Sequence, residues 1–246
     1  MIYIRKGSAS ADVSREINRV KRDCGWDKKQ EKDRETARNA FDQLDKSIIR
    51  RQLIPEQKGL CAYCMRRIEG DSALPIEHWT PISADARKAL EYSNMMLCCD
   101  GGQKTAEPET EKVLSCDAAK GDKTITISPY NKEHMRKIKY NREGYISVYP
   151  EDAKLQDDID YILKLNGEID SSGKMISDTS SALVYSRRQV YQNYVTFITL
   201  LGKKGRVTAG AIRKKIDEIS NAEEYIEFAG VWLYFLHRKL RQLEGV

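Results

Sequence analysis

The chain has 246 residues, a formal net charge of +5, 40 % hydrophobic residues and 32 % charged residues. This balance allows a buried core beneath a heavily charged surface. The opening MIYIRKGSAS has no apolar signal-peptide run, and no stretch approaches the length of a membrane span. The composition therefore argues against a membrane protein, and we expect a soluble protein of the cytoplasm with no membrane partner.

The N-terminal region, residues 1–55, shows two helical repeats of apolar residues separated by the segment CGWDKKQ. The repeats predict two amphipathic helices with charged outer faces, because apolar residues three and four positions apart share one side of a helix. The residues of the first repeat are Val13, Ile17 and Val20, and those of the second are Ala37, Phe41, Leu44 and Ile48.

Residues 56–130 have a different character, since they contain four of the six prolines and five of the six cysteines. Their apolar runs are short and irregular, so this region needs a source of order other than helix packing. Bound metal commonly supplies that order in small units. In a reducing cytosol, cysteines are also more typical of metal ligands or buried thiols than of disulfides.

The C-terminal region, residues 131–246, is regular again and mainly helical in pattern. GYISVYP predicts a short strand, DDIDYILKLN a helix and SGKMISDTS a loop. Three further helical repeats follow, and the aromatic residues of the last one are typical of a core or a partner interface. The repeats run from Leu183 to Leu201, from Ile212 to Ile219 and from Tyr225 to Leu243.

Two runs of basic residues are candidates for contact with a polyanion. Residues 203–215, KKGRVTAGAIRKK, have six cations and no acid, and residues 132–142 have five cations against one acid. Such runs attract phosphate backbones, although each is also typical of a solvated helix face. Lys203, Lys204 and Arg206 are the candidate nucleic-acid-binding residues of the first run.

The cysteines have the spacing of a structural zinc site. Zinc is usually held tetrahedrally by two pairs of ligands, each presented from a tight turn. Cys61 and Cys64 in CAYC form the first pair, and Cys116 forms the second with either Cys98 or Cys99.

Other polar residues lie between and beside these pairs. Glu77 and His78 in IEHW combine a carboxylate with an imidazole, which suits a divalent-metal ligand beside a general base. Asn94 could hold a backbone group or the imidazole in one orientation. Asp117 follows Cys116 directly and could supply a second hard oxygen ligand for Mg²⁺ or Mn²⁺. Lys120 lies one helical turn later, where it could face a phosphate or form a salt bridge.

The order of these residues resembles the HNH endonuclease motif, which is C-x-x-C, D/E-H-x-x-P, N-x-x-L-x-C and C-H/N/D-x-x-K. The match covers about 60 residues. In that family the third zinc cysteine follows the asparagine by five residues, which selects Cys99 over Cys98. The wider chain is similar to PtuB-type HNH proteins through MIYIRKG, EQKGLCAYCMRRI, IEHWTP, LEYSNMMLCCDGG, CDAAKGD and ISPYN.

The resemblance implies an α+β, mainly helical protein with a small ββα-metal HNH core and a structural zinc knuckle, flanked by helical regions. It implies that Glu77 and Asp117 bind Mg²⁺ or Mn²⁺, that His78 is the general base and that Asn94 positions it. It implies a structural Zn²⁺ on the cysteines. The ligands would be Cys61, Cys64, Cys99 and Cys116.

It further implies a nuclease acting on DNA or RNA, including tRNA, in bacterial anti-phage defence of the Septu or retron type. The implied partners are a PtuA-type ATPase and, in retron systems, a reverse transcriptase with its RNA–DNA product. Two alternatives stay open. One is a non-catalytic zinc module that binds nucleic acid or the ATPase, and the other is an adaptor with a decayed nuclease centre.

Two features depart from the commoner motif. Asp117 stands where that motif has histidine, as it does in many such nucleases. The 16 residues between Cys99 and Cys116 replace a spacing of two. This insert is either a substrate loop or a sign that the fourth zinc ligand is another residue.

Overall fold

A computed structural model describes residues 1–26, 33–68, 74–104 and 112–245. Within these ranges the fold is α+β and mainly helical, and none of the helices is long and apolar enough to cross a bilayer. The helices are α1 (Ala11–Asp23), α2 (Arg34–Asp42), α3 (Lys46–Glu56), α4 (Cys116–Lys120), α5 (Lys132–Lys137), α6 (Ala153–Asp157), α7 (Leu183–Lys203), α8 (Ala209–Ser220) and α9 (Ala229–Glu244).

The described strands form three separate antiparallel pairs. In the first pair, Glu77 lies opposite Met96 and His78 opposite Met95, so both candidate site residues lie on one short hairpin. The strands are β1 (Ile76–His78) with β2 (Met95–Leu97), β3 (Ile138–Tyr140) with β4 (Ile146–Val148), and β5 (Glu168–Ile169) with β6 (Met175–Ser177). The strand predicted in GYISVYP is confirmed as β4.

The N-terminal region contains three helices rather than the two predicted from its repeats. The second repeat is interrupted because Asp45 caps a new helix, with its carboxylate accepting a hydrogen bond from the N–H of Ser47 at 3.0 Å. Leu44 lies between α2 and α3 and is still buried, so the apolar spacing continues through the break. A buried residue in a turn cannot be told from one in a helix by spacing alone.

The C-terminal region follows its predicted helices with two corrections. The segment predicted as a loop, SGKMISDTS, contains β6, and α9 begins at Ala229, so Tyr225 and Phe228 precede it. The helix predicted in DDIDYILKLN, residues 157–166, is present in part: it is a π-helical turn over Asp158–Ile162 that continues from α6, and residues 163–166 lie beyond it. Phe235 of α9 is buried against Tyr191 and Tyr194 of α7, so these aromatic residues form core.

The segment before α9 is joined to the CAYC turn by backbone hydrogen bonds. The N–H of Tyr225 donates to the carbonyl of Lys58 at 3.0 Å, and the N–H of Phe228 donates to that of Met65 at 2.9 Å. The carboxylate of Glu227 also accepts from the N–H of Arg67 at 2.8 Å. The C-terminal helices therefore support the cysteine-rich region directly.

Candidate metal and catalytic site

Four buried cysteines come together at the centre of the described structure. Their sulfur atoms all lie within 4.8 Å of one another, and we call this group, Cys61, Cys64, Cys99 and Cys116, the cysteine cluster. The Sγ–Sγ distances are 3.9 Å for Cys61–Cys116, 3.7 Å for Cys64–Cys99 and 3.8 Å for Cys99–Cys116. These separations are far longer than the roughly 2.05 Å of a disulfide bond.

The geometry of the cluster fits a tetrahedral metal ion. Zinc binds cysteine sulfur at about 2.3 Å, so the edges of a regular tetrahedron of sulfur atoms around it measure about 3.8 Å. The three Sγ–Sγ distances given above agree with that value. The donor set is therefore suited to a structural metal ion with soft ligands, and four protein ligands leave no position for a substrate.

Cys98 lies outside the cluster although it precedes Cys99 directly. It follows β2, and its N–H donates to the carbonyl of Pro75 at 3.2 Å, which extends the hairpin by one residue. Burial and hydrogen bonding to Cys61 raise the pKa of the Cys98 thiol well above its usual value. Of the two neighbouring cysteines, it is therefore Cys99 that belongs to the cluster, as the family spacing implies.

The insert between Cys99 and Cys116 is closed at its base, which explains how the fourth cysteine reaches the cluster. The N–H of Ser115 donates to the carbonyl of Gly101 at 2.9 Å. Gly101 has a φ of +62°, and a Cβ there would lie 2.3 Å from the Ser115 carbonyl oxygen, so this closure requires glycine. Residues 105–111 of the insert lie outside the described residues, so the prediction of a substrate loop is not addressed for them.

Glu77, His78 and Asp117 line one cavity of about 180 Å³ beside the cysteine cluster. We call it the Glu77–His78 cavity. The hairpin β1–β2 supplies the first two side chains and α4 supplies the third. Because Cys116 and Asp117 are neighbours in α4, the position of the cavity is tied to that of the cluster.

His78 is held with one ring nitrogen committed to the backbone. Its Nε2 lies 2.9 Å from the carbonyl oxygen of Ala89, and since a carbonyl only accepts, Nε2 carries the proton and Nδ1 is the basic nitrogen. Burial lowers the pKa of His78 to about 4, and the charge of Arg38 also lowers it. The imidazole is therefore neutral at physiological pH, as a general base must be.

Glu77 is buried and surrounded by polar partners. Its Oε1 accepts a hydrogen bond from the hydroxyl of Tyr63 at 3.1 Å and lies 2.6 Å from Nζ of Lys120. Burial, together with the neighbouring carboxyl of Asp117, raises the pKa of Glu77 to about 8. The carboxyl groups of Glu77 and Asp117 are neighbours, so ionisation of one disfavours ionisation of the other. A bound divalent cation relieves the repulsion between the two negative charges. The oxygen donor set thus fits Mg²⁺ or Mn²⁺.

Asn94 holds the backbone and does not bond the imidazole. Its Oδ1 accepts from the N–H of Thr80 at 2.8 Å, and its Nδ2 donates to the carbonyl of Thr80 at 2.9 Å. The N–H of Trp79 in turn donates to the carbonyl of Asn94 at 2.9 Å. These bonds fix the segment that leaves β1 after His78, so Asn94 positions the imidazole through the backbone.

The predicted nucleic-acid contacts lie in two different settings. Lys120 is buried, 1 % exposed, and its Nζ is bonded to Glu77 and to the carbonyl of His78 at 3.2 Å. Lys203 at the end of α7, and Lys204 and Arg206 just after it, are exposed and do not line the Glu77–His78 cavity. Of these four residues, only Lys120 lies at the site, where it is buried and paired with Glu77.

Sequence reasoning missed several residues that complete the site. Tyr63 has a local signal, because it lies between two cysteines of the cluster. Phe41, Arg38 and Ala89 have none: the ring of Phe41 lies 4.5 Å from that of His78, and Arg38 lines the Glu77–His78 cavity. These contacts join parts of the chain that are far apart in sequence, so no short pattern contains them.

A scan against protein-family models finds no match for the chain, and a search of curated proteins finds none either. Neither comparison supplies a relative whose activity could be transferred to this site. The arrangement of the side chains therefore carries the functional argument.

Proposed function

We propose that this protein is a metal-dependent endonuclease of the HNH type that hydrolyses phosphodiester bonds in nucleic acid. The observation that carries the proposal is the meeting of Glu77, His78 and Asp117 in one cavity, with Nδ1 of a neutral His78 as the basic atom. A hairpin followed by a helix, with a four-cysteine cluster at their base, also agrees with the ββα core that the sequence resembles.

In the proposed reaction, Nδ1 of His78 takes a proton from the water that attacks the scissile phosphorus. The bond from phosphorus to the leaving sugar oxygen breaks, and that oxygen takes up a proton from solvent. Glu77 and Asp117 would hold Mg²⁺ or Mn²⁺, which supplies Lewis-acid stabilisation of the charge that develops on the phosphate. The Ala89 carbonyl keeps Nε2 protonated, so the base is presented in one tautomer. Lys120 neutralises Glu77, and Asn94 maintains the segment after His78.

Zn²⁺ on the cysteine cluster is proposed as a structural ion. It would fix Cys116, and hence Asp117, relative to the hairpin that carries His78. The cluster itself takes no part in the chemistry.

The cellular role and the partners rest on the resemblance alone. We propose a bacterial, cytoplasmic effector of anti-phage defence that acts with a PtuA-type ATPase. The substrate is DNA or RNA, with tRNA among the candidates. In a retron-linked system, a reverse transcriptase and its RNA–DNA product are further proposed partners. The basic residues Lys203, Lys204 and Arg206 are proposed to contact the nucleic acid.

A cleavage assay tests the proposed activity. Wild-type protein is incubated with supercoiled plasmid, with single-stranded DNA and with total tRNA, in Mg²⁺, Mn²⁺ or EDTA, with and without a cognate ATPase. We expect cleavage that requires the divalent ion and falls by at least about 10²-fold in His78→Ala. His237→Ala is the matched control, because His237 is an exposed residue of α9 that does not line the cavity. Equal activity in the two variants would remove His78 from the mechanism.

The non-catalytic zinc module is the second candidate, and one observation favours it. Lys120 pairs with Glu77 at 2.6 Å, and a carboxylate neutralised by a buried lysine has less need of a metal ion. Titration with Mn²⁺, followed by electron paramagnetic resonance, separates the two candidates. The nuclease binds Mn²⁺ at a site that Asp117→Ala removes. The zinc module binds none, cleaves nothing, and still binds nucleic acid or the ATPase.

A further inference from the structure

Helix α2 lies beside the Glu77–His78 cavity, to whose lining it contributes Arg38, although the helix lies about 40 residues before the hairpin. Phe41 packs edge-on against the imidazole of His78, with ring centroids 4.5 Å apart. Arg34, at the other end of the helix, forms a salt bridge with Asp122, which itself lines the cavity just beyond α4. The two contacts attach α2 to both elements that carry the candidate catalytic residues.

Arg38 lies between these two attachment points on the same face of the helix. Arg34, Arg38 and Phe41 are spaced by four and three residues, which places them in one row along α2. Arg38 itself lines the cavity, as Glu77, His78 and Asp117 do. The helix thus presents a guanidinium to the space in which a scissile phosphate would lie.

The other cations at this cavity already have anionic partners. Lys120 pairs with Glu77, and Arg34 pairs with Asp122. The side chain of Arg38 is exposed and makes no hydrogen bond or ion pair with any residue in the described ranges. An unpaired guanidinium beside a buried site is suited to an anionic ligand, because its five donors match phosphate oxygens in a two-pronged geometry.

We propose that Arg38 is a catalytic residue that binds a non-bridging oxygen of the scissile phosphate from the side of α2. The inference rests on the proposed nuclease function and adds a substrate contact from outside the region that resembles the HNH motif. In this arrangement the carboxylates and their metal ion lie on one side of the phosphate and the guanidinium on another. Charge developing in the transition state is then stabilised from both sides.

The first test compares Arg38→Gln and Arg38→Lys with wild type in the cleavage assay. We expect Arg38→Gln to lower kcat/KM by about 10²- to 10³-fold, since this is the usual effect of removing one donor to a developing oxyanion. Arg38→Lys keeps the positive charge but loses the two-pronged hydrogen bonding of the guanidinium, so we expect a smaller loss of kcat/KM than in Arg38→Gln. Arg188→Gln is the matched control, because Arg188 is an exposed arginine of α7 that does not line the cavity.

A binding test separates substrate contact from a structural effect. Fluorescence anisotropy measures the affinity of His78→Ala, with and without Arg38→Gln, for labelled single-stranded DNA, duplex DNA and RNA over a range of salt concentrations. Loss of one phosphate contact should make the slope of log K against log salt shallower by about 0.7 to 0.9. The melting temperature and zinc content should stay at the values of His78→Ala, because Arg38 is exposed.

The outcomes distinguish this inference from the function on which it rests. Metal-dependent cleavage by wild type with unchanged cleavage by Arg38→Gln would overturn the inference and leave the nuclease in place. If wild type cleaves nothing, the nuclease proposal fails, and the binding arm decides about Arg38. If Arg38→Gln makes the slope of log K against log salt shallower, phosphate binding by Arg38 is supported. If the slope is unchanged, or if the protein binds none of the three polymers, the inference about Arg38 is overturned.

Discussion

The cysteine cluster and the Glu77–His78 cavity lie next to each other, yet their side chains are held in place in different ways. The four thiols of the cluster are buried and approach mainly one another, at 3.7 to 3.9 Å. In the cavity, His78 is bonded to Ala89, and Glu77 is bonded to Tyr63 and Lys120. The proposed structural ion would therefore hold the cluster together, whereas the cavity is held by hydrogen bonds and an ion pair between protein groups.

This difference indicates a structural role for the cluster and a chemical role for the cavity. A tetrahedral site with four thiolate ligands is closed, so its ion contributes folding energy rather than reactivity. The cavity keeps basic and acidic atoms directed into accessible space, and it retains that arrangement through hydrogen bonds. Loss of the structural ion should consequently damage the fold, while changes in the cavity should alter activity or stability locally.

The largest effect is expected from Cys61→Ser, which removes one ligand of the cluster. Loss of a structural metal site is among the few single changes that cost roughly 5 kcal/mol or more. We expect the purified variant to lose zinc and cooperative thermal unfolding together, measured by metal analysis and calorimetry. Cys98→Ala is the control, because Cys98 is equally buried but lies outside the cluster. Loss of zinc in Cys98→Ala instead would mean that the cluster has been assigned to the wrong neighbour.

A smaller but substantial effect is expected from Asn94→Ala, which acts on the segment that leaves β1 after His78. The change leaves the N–H and the carbonyl of Thr80 without their partner, and each unsatisfied buried group costs about 1–3 kcal/mol. Urea unfolding should show a loss of about 2–4 kcal/mol with the zinc content unchanged. Asn131→Ala, which removes an exposed helix cap, should cost only about 1 kcal/mol. Release of zinc from Asn94→Ala would show that the cavity and the cluster are not held independently.

The contrast between the two regions also explains how much could be predicted from the sequence. The cluster could be predicted because ligand identity and order are local: CAYC forms one turn, and Cys116 follows a glycine-closed insert. The long C-terminal helices could be predicted for a similar reason, since each repeat lies within one element. In the helices, the apolar residues that form one face are close together in sequence. In the cluster, the ligands are cysteines, a residue type with few other uses.

The walls of the cavity could not be predicted in this way. The apolar spacing predicts one helix through Leu44, whereas α2 ends at Asp42 and Asp45 caps the separate helix α3. Arg38 and Phe41 of α2 lie at the site although they precede β1 by more than 30 residues in the sequence. Similarly, the resemblance assigns Asn94 to positioning His78, but its partners are backbone groups of Thr80 that become neighbours only when the hairpin forms.

The smallest effect is expected where the two regions meet, at Tyr63. This residue lies between two cluster cysteines, is fully buried and donates its hydroxyl to Glu77 at 3.1 Å. Tyr63→Phe removes only the oxygen, so packing is preserved and Glu77 still has Lys120. We expect a loss of about 0.5–1.5 kcal/mol in the free energy of unfolding, the usual contribution of one hydrogen bond. The zinc content should not change.

A double-mutant cycle with Glu77→Leu, which removes the acceptor oxygen, decides whether that loss comes from the bond between the two regions. If it does, Tyr63→Phe should cost about 1 kcal/mol less in the Glu77→Leu background than in wild type. Tyr130→Phe provides the matched control, because its hydroxyl donates to the backbone carbonyl of Met95 at 2.7 Å and its cost should be the same in both backgrounds. An equal cost of Tyr63→Phe in both backgrounds would assign its effect to packing within the CAYC turn. The cluster would then position the cavity through the backbone of α4 rather than through this hydroxyl.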